Sequence, residues 1–309
     1  MRPVEDLELS EGLSVKDLVE AMGRAGGFMA THLAEGARIL VEMIKDENAK
    51  VMLSFTANLV ATGLRGVFRE LVRRRLVDAV VTTAGTLDHD IARHFAKYYH
   101  GSFYLDDAEL AEKGYHRLGN VLVPLRNYGP LLEEKLTPIF LEALEISDRW
   151  APRDLIWHVG SKLGEDSILY WCSRHRIPVF VPGITDGAFG SQLWSFRQLH
   201  PEFVVDILRD EEYLADFVFE AGRLGALVVG GGISKHHTIW WAQFIDGLDY
   251  AVYVTTAPEW DGSLSGARPR EAVSWGKLKK GAPSITVVGD ATLILPLMVQ
   301  YALEVLGWP

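Results

Sequence analysis

What most limits the fold of this chain is a recurrence of short apolar runs rich in β-branched residues, at 51–55, 77–83, 177–181, 203–207, 226–229, 250–254 and 285–288. Each is near strand length. Most are apolar at odd and even positions alike, as strands covered on both faces must be. Amphipathic stretches of helical length separate them. In 210–223, Leu214, Phe217, Val218 and Ala221 recur at three- and four-residue steps, the spacing of one helix face. Strands alternating with helices imply a parallel sheet with right-handed crossovers. The expected class is therefore α/β, a Rossmann-like parallel sheet with helices on both faces, in a single large domain.

Two segments depart from this rhythm. Residues 14–45 read as helix interrupted near Gly26 and Gly27, with Ser14 as N-cap and Asp17 three residues on. Residues 104–152 contain Gly114, Gly119, Gly129 and Pro130 and read as an excursion outside the sheet repeat. No internal repeat or linker-like boundary is evident, so one domain is expected over 1–309, behind an acidic leader at 1–13.

Charge and cysteine content narrow the function classes. A formal net charge of −10 argues against nucleic acid as the main partner, since phosphate binding draws on clustered Lys and Arg. The basic run Arg73, Arg74, Arg75 follows an apolar-periodic stretch and reads as a solvated helix end. The single cysteine, Cys172, rules out an intramolecular disulfide, fits a reducing compartment, and reads as a buried, inert thiol. No apolar run approaches the roughly 20 residues of a membrane span, and the leader lacks a signal-peptide core. A cytoplasmic location is expected.

Three loops that follow strands are rich in small and polar residues. Ligands of doubly wound sheets bind at the carboxyl ends of strands near the point where strand order reverses, so these loops come first. One is Thr82-Thr83-Ala84-Gly85-Thr86, followed by Asp88, His89 and Asp90. It reads either as a close approach for a phosphate or ribose, or as a strand-to-helix turn with capping hydroxyls. The second is Gly230-Gly231-Gly232, leading into Ser234, Lys235, His236 and His237. It suits a pyrophosphate but is not the GxGxxG fingerprint. Adjacent helical histidines cannot both point into one site. No second histidine or cysteine pair stands at zinc-ligand spacing, so no metal is expected. The third, 255–277, includes Asp261-Gly262-Ser263, Ser265-Gly266, Glu271, Trp275 and Lys277. Beside Trp275 and Val273, Lys277 is either a desolvated amine able to attack an imine or carbonyl, or a surface lysine near a core tryptophan.

Taken together, Gly230-Gly231-Gly232-Ile233-Ser234-Lys235-His236-His237, Asp249-Tyr250-Ala251-Val252-Tyr253, Asp261-Gly262-Ser263, Ser265-Gly266-Ala267-Arg268-Pro269 and Glu271-Ala272-Val273-Ser274-Trp275-Gly276-Lys277 resemble the deoxyhypusine synthase family. Asn58-Leu59, Thr82-Thr83-Ala84-Gly85, Pro182, Thr185-Asp186-Gly187 and Asp290-Ala291 match it too, and the resemblance runs from about Ser14 to near the C-terminus. It implies an NAD-dependent enzyme that oxidises spermidine, holds its aminobutyl group as an imine on Lys277, and passes it to one lysine of the hypusine-bearing translation factor. It also implies a homotetramer. By position, His236 would move protons. Trp275 would pack on the aliphatic amine and desolvate Lys277, and Glu271 and Asp88 would hold ammonium groups. Gly262 and Ser263 would contact the substrate. Thr83, Ala84, Gly85, Asp186, Gly231, Thr256, Ala257, Asp290 and Ala291 would contact NAD.

The chain departs from eukaryotic members, which have acidic residues in place of Ser191, Leu264 and His89, an Asn in place of Trp240, and serines in place of Ala57 and Ala61. The departures suggest an archaeal-type member, with spermidine or a related polyamine as donor. Two other readings stand beside this one. A homospermidine synthase-like enzyme would pass the aminobutyl group to a free amine. A catalytically silent NAD-binding partner subunit is the other, and the presence of Lys277, Glu271 and His236 speaks against it.

Overall fold

The structure is a computed structural model and describes residues 1–308. The chain forms two compact units interleaved in sequence. The first comprises 1–55, 76–81 and the chain from Leu214 onward; the second comprises 56–75 and 82–213.

The first unit is built on parallel strands in the order Ser284–Val288, Tyr250–Thr255, Arg223–Val229, Ala49–Phe55, Ala79–Val81. From Val51 to Phe55 and from Leu224 to Val229 every residue is buried, which is why these runs are apolar on both parities. Helices cover both faces. A Cβ built on Gly36, in helix Phe28–Lys45, would lie 3.4 Å from Val252. The next residue, Tyr253, faces the opposite way and meets Lys235 of helix Gly232–Ala242. Strand order reverses between Ala49–Phe55 and Arg223–Val229, the place where sheets of this kind bind ligands at the strands' carboxyl ends.

The helices at the start follow from local chemistry. Ser14 accepts a hydrogen bond from the Asp17 amide at 3.0 Å and caps Val15–Ala25. Gly26 (φ +67°) ends that helix in the left-handed region, and Phe28–Lys45 follows. The interruption expected near Gly26 and Gly27 is therefore present.

The second unit contains the excursion. Tyr99–His100, Val121–Pro124 and Tyr115–Leu118 form a separate three-stranded antiparallel sheet, followed by helix Gly129–Ile146. The run at 203–207 belongs outside the parallel sheet: Val204–Val205 pairs only with Arg149–Trp150. Both valines are half-exposed, unlike the doubly covered central strands. The helix expected over 210–223 is Leu208–Phe219. It stops short because Gly222 lies against Asn48 and the Arg223 amide donates to the Asn48 carbonyl at 2.9 Å, opening the next strand.

Cys172 is fully buried in helix Ile168–His175, and burial holds its thiol well above the ordinary range. Beside it lies a buried ionic knot. Asp90, with no exposed surface, accepts from Arg65 Nε and Ser167 Oγ, each at 2.6 Å, and from the Leu169 amide at 2.9 Å. It ties helices Leu64–Arg73, Ala84–Phe95 and Ile168–His175 together. Asp90→Ala leaves the buried Arg65 guanidinium only the carboxylate of half-exposed Asp166, at 3.2 Å, and takes the acceptor from Ser167 and the Leu169 amide; it is expected to lower stability by about 3–5 kcal/mol in urea unfolding.

Candidate active site

Three turns at the carboxyl edge of the first unit's sheet carry the expected residues. After Arg223–Val229 comes Gly230 (φ +90°), then Gly231, then Gly232 (φ +65°), which opens helix Gly232–Ala242. A Cβ on Gly231 would fall 2.0 Å from Ser265 Oγ, so glycine is demanded there by the neighbouring loop. Gly232 is open on the same test, with nothing within 4 Å. Thr256 and Ala257 follow Tyr250–Thr255, and the Ala257 amide donates to Thr255 Oγ1 at 3.1 Å. Asp290 follows Ser284–Val288 and caps helix Ala291–Val305 by accepting from the Thr292 amide at 2.7 Å.

Lys277 lies one turn beyond helix Pro269–Ser274. Its backbone is held from both sides: its amide donates to the Ala272 carbonyl at 2.9 Å, and its carbonyl accepts from the Leu248 amide at 3.1 Å. Gly276 (φ +66°) makes the tight turn into it. The residue is only 7% exposed. Its Nζ stands 5.4 Å from the ring centroids of both Trp240 and Trp275, and among the described residues it makes no hydrogen bond or ion pair.

These side chains line one cavity of about 280 Å³ with His236, Lys235, Leu264, Arg268 and Glu271. Glu271 is its single carboxylate. His236 and Trp240, four residues apart on one helix face, stack at 5.5 Å and 23°. Burial, and then the Lys277 charge, lower the His236 pKa, so the imidazole is neutral at pH 7. His237 is not part of the lining. Gly262 (φ +71°) and Ser263 are not part of the lining; they precede Leu264, which is, and the Ser263 amide donates to Asp261 Oδ1 at 2.7 Å.

Lys235 holds the chamber together, and its role escaped the sequence reading. It is 1% exposed, and its Nζ donates to the Leu264 and Ala267 carbonyls, each at 2.7 Å. The Tyr253 ring lies 4.2 Å from it. Burial pushes its pKa down to about 8, against a smaller upward pull from Glu271. The spacing Lys235, Ile239, Ala242 is a helical stripe, and all three are buried. That stripe was the available signal.

The other expected residues belong to the second unit. Thr83 precedes helix Ala84–Phe95, and its Oγ1 accepts from the Ala57 amide at 3.1 Å. A Cβ on Gly85 would come 2.9 Å from that of Ala57. Asp186 is exposed, in the turn before helix Ala188–Leu199. Asp88 is fully buried and accepts from Tyr128 Oη (2.8 Å), the Ala188 amide (2.9 Å) and the Phe189 amide (2.7 Å). Burial raises its pKa against these bonds. An ammonium on Asp88 must share a carboxylate already engaged three times. His89 binds Tyr98 at 2.9 Å, and burial pushes its pKa down to about 4.

An α/β sheet with a lysine-centred aromatic chamber beside a strand-terminal glycine turn defines an enzyme of the Rossmann-like class. The family model for deoxyhypusine synthase matches residues 17–302. The chain belongs to the deoxyhypusine synthase family. It is 49% identical over 298 residues to a probable deoxyhypusine synthase of Picrophilus torridus, covering 96% of each chain. To its counterpart in Aeropyrum pernix it is 50% identical over 311 residues, covering 99% of this chain and 100% of that one. A crystal structure from Entamoeba histolytica, also assigned to deoxyhypusine synthase, superposes with a TM-score of 0.66 at 23% identity, over 98% of this chain and 97% of that one. AgrE in complex with ornithine and NAD+ shares the fold at a TM-score of 0.52 and 16% identity, over 88% of this chain and 34% of that one. As a family member the chain is a transferase of hypusine biosynthesis.

The buried Lys235 cation carries a pH signature. Its folded pKa of about 8 lies below its ordinary value of 10.5, so in that window the unfolded chain binds more protons and stability rises with pH. Urea midpoints at pH 7.5 and 9.5 are expected to show this rise in the wild type and a smaller one in Lys235→Met.

Proposed function

We propose that this enzyme makes deoxyhypusine by NAD-dependent transfer of the 4-aminobutyl group of spermidine, through an imine on Lys277, to one lysine of the hypusine-bearing translation factor. The observation that carries this is Lys277 itself. It is buried, its backbone is fixed, and its amine stands between two indole rings in a chamber with one carboxylate.

The carboxyl-edge turns fit a dinucleotide. Gly232 is open to close approach, and the helix it begins has no side-chain cap across its first amides. Gly231, Thr256, Ala257, Asp290 and Ala291 of the first unit are the proposed NAD contacts, and Thr83, Ala84, Gly85 and Asp186 of the second are proposed by family position. NAD, when bound, supplies a hydride acceptor for the amine oxidation and the hydride donor for the final reduction.

The chain's own residues do the rest. Glu271 holds the ammonium end of the amine, and Gly262 and Ser263 border its path. Asp88 is proposed as a further amine contact by family position. Trp240 and Trp275 pack along its methylenes and exclude water. His236, neutral at pH 7, takes the proton released as the secondary amine is oxidised to an imine. Lys277 adds to that carbon, the aminopropyl amine leaves, and the aminobutyl group stays as a C=N on Nζ. The acceptor lysine then displaces Lys277, and reduction of the new C=N completes transfer. The enzyme is proposed to act in the cytoplasm as a homotetramer.

Lys277→Ala is expected to lower transfer from labelled spermidine by about a thousandfold or more, to abolish borohydride trapping of label on the enzyme, and to leave NAD affinity within a few-fold. Full transfer by the variant rules out the nucleophile. Label found in homospermidine rather than on the translation factor rules out the acceptor.

A further inference from the structure

The second unit holds a cavity of about 460 Å³ that the proposed chemistry does not use. Arg149, Arg176, Arg209 and His158 line it, with Trp150 and Trp157 as its aromatic walls. Three arginines around one cavity stand out in a chain of net charge −10, while burial lowers the His158 pKa and favours its neutral ring. Its one lining carboxylate, Asp154, lies 3.6 Å from Arg153 Nε, and Arg149 pairs with Asp206 at 3.1 Å. Arg176 and Arg209 have no carboxylate partner among the described residues.

The walls are held in place independently of any ligand. The Trp157 indole N–H donates to the Ile177 carbonyl at 2.8 Å, and that of Trp150 to the Ser147 carbonyl at 2.9 Å. The Arg176 guanidinium sits 5.1 Å from the Trp157 ring centroid. A guanidinium over an aromatic face keeps its in-plane N–H donors for another partner. His158 Nε2 is buried and has no hydrogen-bond partner. Native structures rarely leave such an atom alone.

We propose that this cavity binds a phosphoryl group. Two unpaired guanidiniums and a third shared one call for more than one negative charge. A phosphate offers several acceptor oxygens to donors that do not share a plane. The volume falls within the range of small-molecule sites, about 300–1,000 Å³. A mononucleotide and free phosphate both present this group, and the test separates the two sources.

The test is calorimetric titration of the full-length, NAD-saturated enzyme with AMP and, separately, with inorganic phosphate. Saturation with NAD keeps both probes out of the proposed cofactor site. At least one probe is expected to bind once per chain, and Arg176→Gln and Arg209→Gln are each expected to weaken it about tenfold or more. AMP binding tighter than phosphate assigns a nucleotide; equal affinity assigns the bare phosphoryl group. The proposal is overturned if neither probe binds up to about 10 mM, or if binding is unchanged in both variants. Arg176 is exposed, so its variant carries the test if Arg209→Gln does not fold.

Discussion

The parallel ladder between Ala49–Phe55 and Arg223–Val229 is the constraint on which the first unit depends. Seven residue pairs run in register from Ala49 opposite Arg223 to Phe55 opposite Val229. Parallel strands cannot be joined by a hairpin, so the intervening chain must leave the sheet and return to the same end. Glycines pin the register. A Cβ on Gly225 would come 3.0 Å from Met43 Sδ, and one on Gly222 would come 3.1 Å from the Asn48 carbonyl. With that register set, strand order reverses here, and Gly230–Gly232 emerges at the carboxyl end of Arg223–Val229.

Lys235 is the second tie, and it works from inside. A buried ammonium has few ways to stay satisfied, and two carbonyls plus an aromatic face meet its needs. The carbonyls belong to Leu264 and Ala267, so the cation fastens the loop that carries Gly262 and Ser263 to the helix that carries His236 and Trp240. The same loop presses Ser265 against Gly231. The Gly230–Gly232 turn and the 262–267 loop are thus one packed assembly.

Much of the fold was legible in the residues. Central strands declared themselves because burial on both faces forces apolar residues at both parities. The run at 203–207 deceived for the same reason: its apolar content matched, while Val204 and Val205 stayed half-exposed. The Lys277 neighbourhood was readable as a lysine beside Trp275, and family resemblance carried it further. Trp240 as the second ring was not readable as such, since only the turn after Pro269–Ser274 brings Lys277 back to helix Gly232–Ala242. Lys235 was hidden by its charge, which reads as surface unless helical spacing is weighed against it. Asp88 illustrates the converse. A carboxylate just past a polar loop reads as a free ligand, yet its hydrogen bonds from Tyr128, Ala188 and Phe189 come from residues distant in sequence.

The double anchoring of Lys277 bears on how the transfer is organised. With its amide and carbonyl both committed, the residue moves only about its side-chain bonds, and Gly276 is spent on the turn rather than on a hinge. On the proposed mechanism, the carrier of the aminobutyl group is therefore a short stationary post. Cargo cannot be ferried from a loading station to an unloading one. Donor and acceptor must instead take turns at one berth, and the acceptor lysine has to be threaded to the depth of Nζ. That requirement favours an acceptor lysine at the tip of a slender, protruding loop.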